Sequence, residues 1–216
     1  MNVIVYGAGG HGRVVADVAA SAGHRVVAFV DDGPGMAGTD LCGVPVMGWE
    51  HVLAEAERRR SAMLALGVGD SGARATILEK ASAAGWTTTT LVHASAVVAR
   101  SARLGEGTVV MAAAVVNPDA RIEHGCIINT GAVVEHDARI AAFALIGPNA
   151  ALGGAVHVGE HTVIGVGASV RPGVRIGAGV TVGVGAAVVE DVPDGAVVGG
   201  VPARPLASRR SAEAAT

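Results

Sequence analysis

The chain has 216 residues, 50% hydrophobic but only 2% aromatic, with 32 glycines and a formal net charge of -3. A core made of small and β-branched side chains is narrow and regular, which points to a repeat structure. The charge excludes the clustered basic surface of a nucleic-acid binder, Cys42 and Cys126 give no disulfide framework, and no apolar run of about 18 residues offers a membrane span. The start, Met1 to Gly7, lacks the basic and long apolar regions of a signal peptide, so a soluble cytoplasmic protein is expected.

In chain order, Val3–Tyr6 reads as a short strand ending in Gly7-Ala8-Gly9-Gly10-His11-Gly12, and Arg13–Ala19 follows with helical spacing. A second apolar run, Arg25–Val30, ends in Asp31-Asp32. Strand, glycine turn, helix, strand and acid form the first βαβ unit of a Rossmann-like α/β domain. There the backbone can approach a phosphate at the helix N-terminus, and the acids can accept hydrogen bonds from a ligand. A helix over Trp49–Arg60, a strand at Ala62–Gly67, a helix at Ala73–Ala84 and a strand at Thr87–Leu91 complete a domain spanning residues 1–91. The glycine motif alone suggests NAD, but the second mononucleotide half of a dinucleotide site is missing, so one nucleotide fits better than two.

From Val92 to Val188 every sixth residue is aliphatic, seventeen positions without a break. Four residues after each, from Ala96 to Val192, stands a small or β-branched side chain; Cys126 is one of these and reads as core. Neither the helical period nor the plain strand period produces this pattern. A hexapeptide period is the signature of a parallel β-helix whose coils stack on one another. Gly147, Gly153, Gly159, Gly165, Gly177 and Gly183, each just after an aliphatic position, are expected at corners whose backbone conformation is costly for other residues. This domain covers 92–205, and 206–216 reads as a solvated, mobile tail.

The glycine turn, Asp31-Asp32, the segment Ile128-Asn129-Thr130-Gly131-Ala132-Val133-Val134-Glu135-His136-Asp137 and the stretch from Val197 to Arg204 together resemble the sugar O/N-acyltransferase family. That family includes sialic acid O-acetyltransferases, bacillosamine-pathway UDP-4-amino-sugar N-acetyltransferases and perosamine N-acetyltransferases. The resemblance runs from Gly7 through Ala203 and implies a left-handed β-helix with eighteen residues per coil. It also implies a homotrimer with its sites where subunits meet, and transfer of an acyl group from acetyl-CoA or another acyl-CoA to the amino group of a nucleotide-linked sugar. Carried over by position, Gly9, Gly10, His11, Asp31, Asp32 and Gly67 face the nucleotide sugar, and Gly154, Val166 and Val184 face acyl-CoA.

Attack on a thioester needs a base of near-neutral pKa, which makes His136 the candidate catalytic residue. Asp137, with Glu135 as the alternate, would orient the ring and stabilise the imidazolium. Because CoA thiolate leaves readily, direct attack needs no covalent intermediate. With eighteen residues per coil, Pro118 and Gly154 share the corner of His136. Two other readings are O-acetylation of a sugar hydroxyl, as on sialic acid, and a non-catalytic nucleotide-binding scaffold. A zinc-dependent carbonic anhydrase on the same β-helix would need three histidine ligands. His24, His51, His93, His124, His157 and His161 supply no matching triplet, so no metal is expected. Two positions depart from the family: Leu145 stands where many relatives carry a second histidine, and Ala141-Ala142 replaces the usual Gly-acid pair.

Overall fold

A computed structural model describes residues 1–54 and 56–206, so the expected tail lies outside the described residues except for Leu206. The N-terminal elements are β1 (Asn2–Tyr6), α1 (Gly10–Ser21), β2 (Arg25–Val30), β3 (Asp40–Leu41), β4 (Val44–Met47), α2 (Trp49–Ala54), α3 (Ala56–Ser61), β5 (Ala62–Leu66) and α4 (Ser71–Ala83). They build a sheet in the order β3-β4-β2-β1-β5, parallel except for the β3-β4 hairpin. Val3, Ile4 and Val5 of β1 are fully buried, as a continuous apolar run should be when a parallel sheet is covered on both faces. Val15, Val18 and Ala19 of α1 cover one face, and Trp49, Val52, Ile77 and Trp86 the other. Asp70 caps α4 by accepting the Ala73 N–H at 2.8 Å.

The structure departs from the expected elements in two places. The β3-β4 hairpin was not anticipated: its turn residues Cys42 and Gly43 both have positive φ, 56° and 78°, and Cys-Gly is not the Asn-Gly or Asp-Gly pair that usually announces such a turn. The strand expected at Thr87–Leu91 is absent. Thr88 makes one isolated bridge to Leu64, while its side chain turns to Glu106 and that of Thr90 bonds the Gly105 carbonyl. These bonds draw the segment toward the second domain, and Leu91 opens the next strand.

From β6 (Leu91–Val92) to the strand Ala187–Val188, two-residue strands stack in three parallel sheets, forming a three-sided β-helix that ends in Val197–Gly199 and the antiparallel Arg204–Pro205. Val115 pairs with Val133, Arg121 with Arg139 and Ile127 with Leu145, each eighteen residues on. Outward side chains give each face its character. The docked face carries Leu91, Val109, Ile127, Leu145, Val163 and Thr181. The valine face carries Val97, Val115, Val133, Ala151, Ser169 and Ala187, and the arginine face carries Arg103, Arg121, Arg139, His157 and Arg175. Inside, the aliphatic positions and the small residues four places later form one apolar column. Each fully buried Val, Leu or Ile contributes about 1.5–3 kcal/mol. The last coil is two residues shorter, pairing Val182 with Val198 and Ile176 with Val192.

The corner glycines require a correction. Left-handed backbone occurs three residues after the aliphatic positions from Leu104 to Val182, at Gly167, Gly173 and Gly179 (φ 66°, 75°, 63°) but also at Asp119, Asp137 and Asn149 (φ 62°, 59°, 55°). Gly147, Gly153 and Gly165 are needed for a different reason, the closeness of the next coil. A Cβ on Gly147 would stand 2.6 Å from the Ile164 carbonyl, on Gly153 2.6 Å from the Pro172 ring, and on Gly165 2.6 Å from the Val182 carbonyl.

The two halves share a core. Leu91, Val109 and Ile127 of the docked face are buried with Val15 and Val18 of α1. The expected division at 91/92 therefore falls inside β6, where Leu91 joins the interdomain cluster and Val92 packs on the β-helix core. Arg74 of α4, fully buried, adds polar attachment by donating to the carbonyls of Gly69 (2.6 Å), Gly125 (2.8 Å) and Phe143.

The two kinds of corner glycine can be separated by substitution. Gly167→Ala has open space and only left-handed strain of about 1–2 kcal/mol, whereas Gly165→Ala must push two coils apart. Urea denaturation should show the larger loss for Gly165→Ala; equal losses would mean that coil spacing is not the constraint.

Candidate active site

The strand Val133–Val134 leads into a corner made of Glu135, His136 and Asp137. Left-handed backbone at Asp137, a conformation Asp tolerates better than most residues, brings its carboxylate back beside the preceding ring. Asp137 Oδ2 lies 2.8 Å from His136 Nδ1. Glu135 Oε2 accepts the backbone N–H of His136 at 3.2 Å. The hydrogen bond to Asp137 raises the His136 pKa, against a small loss of hydration, and the charges of Asp137 and Glu135 act in the same direction. With Nδ1–H held by Asp137, the neutral ring leaves the lone pair on Nε2.

Gly154 sits one coil on, under this ring, and a Cβ there would stand 2.6 Å from His136 Nε2 and Cε1. Only glycine leaves room for the imidazole. Among the described residues the Gly154 backbone N–H has no hydrogen-bond partner. Val166 and Val184, 45% and 77% exposed, occupy a different corner, between the docked and valine faces. Within one chain the valine face separates them from His136.

At the α/β domain the glycines divide into two groups. Gly7, Gly12 and Gly67 pack on each other: a Cβ on Gly12 would stand 1.9 Å from the Gly7 carbonyl, and one on Gly67 2.6 Å from Val5. Gly9 and Gly10 have nothing within 4 Å of a Cβ and open the N-terminus of α1. His11 follows. Burial, then the charge of Arg74, lowers its pKa, and its Nε2 is buried without a partner. Asp31 is used by the fold, its two oxygens accepting the N–H of Ala8 (2.9 Å) and Gly33 (2.8 Å).

Asp32 accepts from the N–H of Trp49 (2.9 Å), the Tyr6 hydroxyl (2.5 Å) and Lys80 Nζ (3.4 Å). Burial pushes its carboxyl up, but the bonds from Tyr6 and Trp49 and the charge of Lys80 outweigh this and hold its pKa low. Sequence reasoning missed Tyr6, Trp49, Lys80 and Arg74. Tyr6, directly before the glycine turn, carried a positional hint; Lys80 and Arg74 had none. Lys80 Nζ lies over the rings of Tyr6 and Trp49, 5.9 and 5.3 Å from their centroids.

The third corner, between the arginine and docked faces, carries Phe143 with His124 and His161 against its ring, centroids 4.9 and 5.2 Å away. Arg74 links the surroundings of His11 to this corner. Burial pushes the Cys126 thiol up to about 12, leaving it inert at neutral pH. Among the described residues no three His, Cys, Asp or Glu side chains gather as a metal site, and no helix is long and apolar enough to cross a membrane.

Residues 2–81 match the PglD N-terminal domain family. No curated protein matches the chain. The chain is similar to the acetyltransferase domain of PglB from Neisseria gonorrhoeae FA1090, at 42% identity and a TM-score of 0.88 over 95% of this chain and 99% of that one. It is also similar to a variant of perosamine N-acetyltransferase from Caulobacter crescentus solved with CoA and GDP-perosamine, at 42% identity and a TM-score of 0.90 over 96% of this chain and 98% of that one. WeeI from Acinetobacter baumannii AYE is 26% identical with a TM-score of 0.85, covering 95% of this chain and 100% of its own. At this identity over nearly its whole length, the chain belongs to the sugar N-acyltransferase family of the PglB acetyltransferase domain and perosamine N-acetyltransferase.

Proposed function

We propose that the chain transfers an acetyl group from acetyl-CoA to the amino group of a nucleotide-linked sugar, as a homotrimer of left-handed β-helices. The observation that carries this reading is His136 bonded to Asp137 with its free nitrogen over Gly154. The relatives support the substrates: the PglB domain is solved with acetyl coenzyme A, and perosamine N-acetyltransferase with CoA and GDP-perosamine. Gly9, Gly10 and His11 at the α1 N-terminus receive the diphosphate. Asp32, with Asp31 and Gly67 framing the crevice, faces the nucleoside at the carboxyl ends of the strands.

Neutral His136 Nε2 takes the proton of the sugar amine as its nitrogen attacks the thioester carbon. The C–N bond forms and the carbonyl oxygen becomes an oxyanion, which the Gly154 N–H stabilises. Collapse breaks the C–S bond, and the departing thiolate receives the proton from His136. Asp137 orients the ring throughout, and Glu135 fixes the corner backbone.

The placement of these groups supports a site shared between copies. The glycine turn, His136 and the Val166–Val184 pair lie by three different corners of one prism, so copies must meet to join them. The valine face bears no charge, and Val97, Val166 and Val184 on and beside it are exposed, an apolar patch suited to burial against another copy.

Three outcomes follow. Acetyl-CoA with a panel of nucleotide amino sugars should release free CoA, and His136→Ala should lower kcat about 10²- to 10⁴-fold; turnover only with hydroxyl sugars would make the enzyme an O-acetyltransferase, and none would leave a scaffold. Because the base must be neutral and its pKa is raised, kcat/KM should fall on the acid side with a midpoint above the ordinary histidine value of about 6.5. Asp137→Asn should move that limb to lower pH, and an unmoved limb would place the base elsewhere. Sedimentation equilibrium should give three times the 21.3 kDa chain mass; an active monomer would remove the shared site.

A further inference from the structure

The corner between the docked and valine faces carries a polar group that no step above uses. From coil to coil its left-handed position holds Ala113, Gly131, Asn149, Gly167 and Gly185 (φ 56°, 67°, 55°, 66° and 67°), so Asn149 alone puts more than a methyl group there. Asparagine tolerates this backbone, but tolerance does not account for where the carboxamide lies. The side chain folds back over the preceding coil, and a Cβ on Gly131 would collide with Asn149 Oδ1. Asn149 is exposed, and among the described residues its carboxamide has no hydrogen-bond partner.

His136 is arranged the opposite way. Its ring reaches toward the C-terminal coils, over Gly154, while Asn149 reaches toward the N-terminal coils, over Gly131. A coil of eighteen residues rises about 4.8 Å along the prism. The ring therefore lies at a height between residues 136 and 154, and the carboxamide at a height between 131 and 149, so the two ranges overlap. Rotation about a threefold axis along the prism changes no heights. If valine faces surround that axis, the His136 corner of one copy meets the Asn149 corner of the next with imidazole and carboxamide on one level. Beyond that level the corner is apolar, with Val166 and Val184 exposed. Before it lies the α/β domain, docked through Leu91, Val109 and Ile127, and the nucleotide sugar arrives from that side. Asn149 stands at the boundary.

We propose that Asn149 of one copy hydrogen-bonds the acceptor sugar at the hydroxyl beside the attacking amine, while His136 of the next copy takes the amine's proton. This rests on the acetyltransferase reading and its trimer. A carboxamide both donates and accepts, so it engages a hydroxyl whichever way that group is turned. Being neutral, it adds no charge beside the base. With the diphosphate held at the glycine turn, this second attachment fixes the direction from which the amine meets the thioester. Asn149 is thereby a specificity-determining residue, since a sugar lacking that hydroxyl loses the contact.

The test uses Asn149→Gly, because glycine suits the left-handed corner better than any other residue and keeps the coil intact. With the nucleotide amino sugar that turns over best, kcat/KM for the sugar should fall about ten- to a hundred-fold, while the KM for acetyl-CoA holds. An analogue lacking the hydroxyl beside the amine should lower wild-type turnover by the same factor, and Asn149→Gly should add nothing to that loss. Co-expressing Asn149→Gly with His136→Ala gives mixed trimers in which some interfaces join an intact His136 to an intact Asn149. Their activity should exceed that of either variant alone.

Wild-type turnover in Asn149→Gly would overturn the proposal and leave asparagine there for its backbone alone. So would a rise confined to the acetyl-CoA KM, losses that add between variant and analogue, or mixed trimers no more active than their parents. No turnover of any sugar by wild type, or an active monomer, would sink the reading underneath and this contact with it. Those two results appear without any variant, so the two failures are distinct.

Discussion

The chain returns to the same backbone position every eighteen residues, and this register governs everything from the core to the candidate catalytic corner. Each strand bonds the strand one coil away, so the surroundings of any outward side chain are set by the residues eighteen before and after it. Coils this close leave no space for a Cβ at Gly147, Gly153 or Gly165. The same geometry places a left-handed residue at each corner from Gly107 to Gly185, and at Asp137 that turn carries the carboxylate to Nδ1 of His136. The imidazole then covers Gly154, where any larger residue would displace it. The proposed base is thus held by stacking, with little help from burial.

A second constraint joins the halves. Among the described residues Arg74 is a buried cation with no carboxylate in contact, and its planar donors instead meet carbonyls from its own domain and from one corner of the β-helix on two successive coils. Burial lowers its pKa to about 10, so it stays charged at neutral pH and its hydrogen bonds stay charge-assisted. The compact ammonium of lysine could not span those carbonyls. After burial, the same charge disfavours protonation of His11, so the cation that fixes the α/β domain on the prism also acts beside the glycine turn.

The β-helix was legible in the sequence because one demand repeats at seventeen aliphatic positions. The corner conformation was misread because two demands both favour glycine. Close approach selects it just after the aliphatic residue, and positive φ two residues later, where Asp137, Phe143 and Asn149 also occur and hide the pattern. His136 could be picked out by residue type and frame. The tuning of the crevice beside the glycine turn could not, because it comes from distant pairs: Tyr6 with Asp32, Lys80 with Asp32, and Arg74 with Phe143, separated by 26 to 69 residues. An acid after the second strand is visible in sequence; whether it serves ligand or backbone is decided by where Ala8, Gly33 and Trp49 point their N–H groups.

Leu145 shows how the two constraints meet at the chemistry. It is an outward residue of the docked face, stacked between Ile127 and Val163 and packed against the apolar cluster beneath α1. A histidine there would bring a polar ring to the edge of that cluster, at a cost unless its nitrogens found partners. With leucine the interdomain packing stays apolar, and no side-chain donor stands at this position for the thioester oxygen. In the proposed mechanism, stabilising the oxyanion then falls to the main chain, where the N–H of Gly154, without a partner among the described residues, is fixed by the coil and needs no reorganisation as charge develops. Such a site has few alternatives. In the proposed mechanism the residue that must be glycine to admit the base is also the one whose amide faces the developing charge, so displacing that corner would disturb proton transfer and oxyanion stabilisation together.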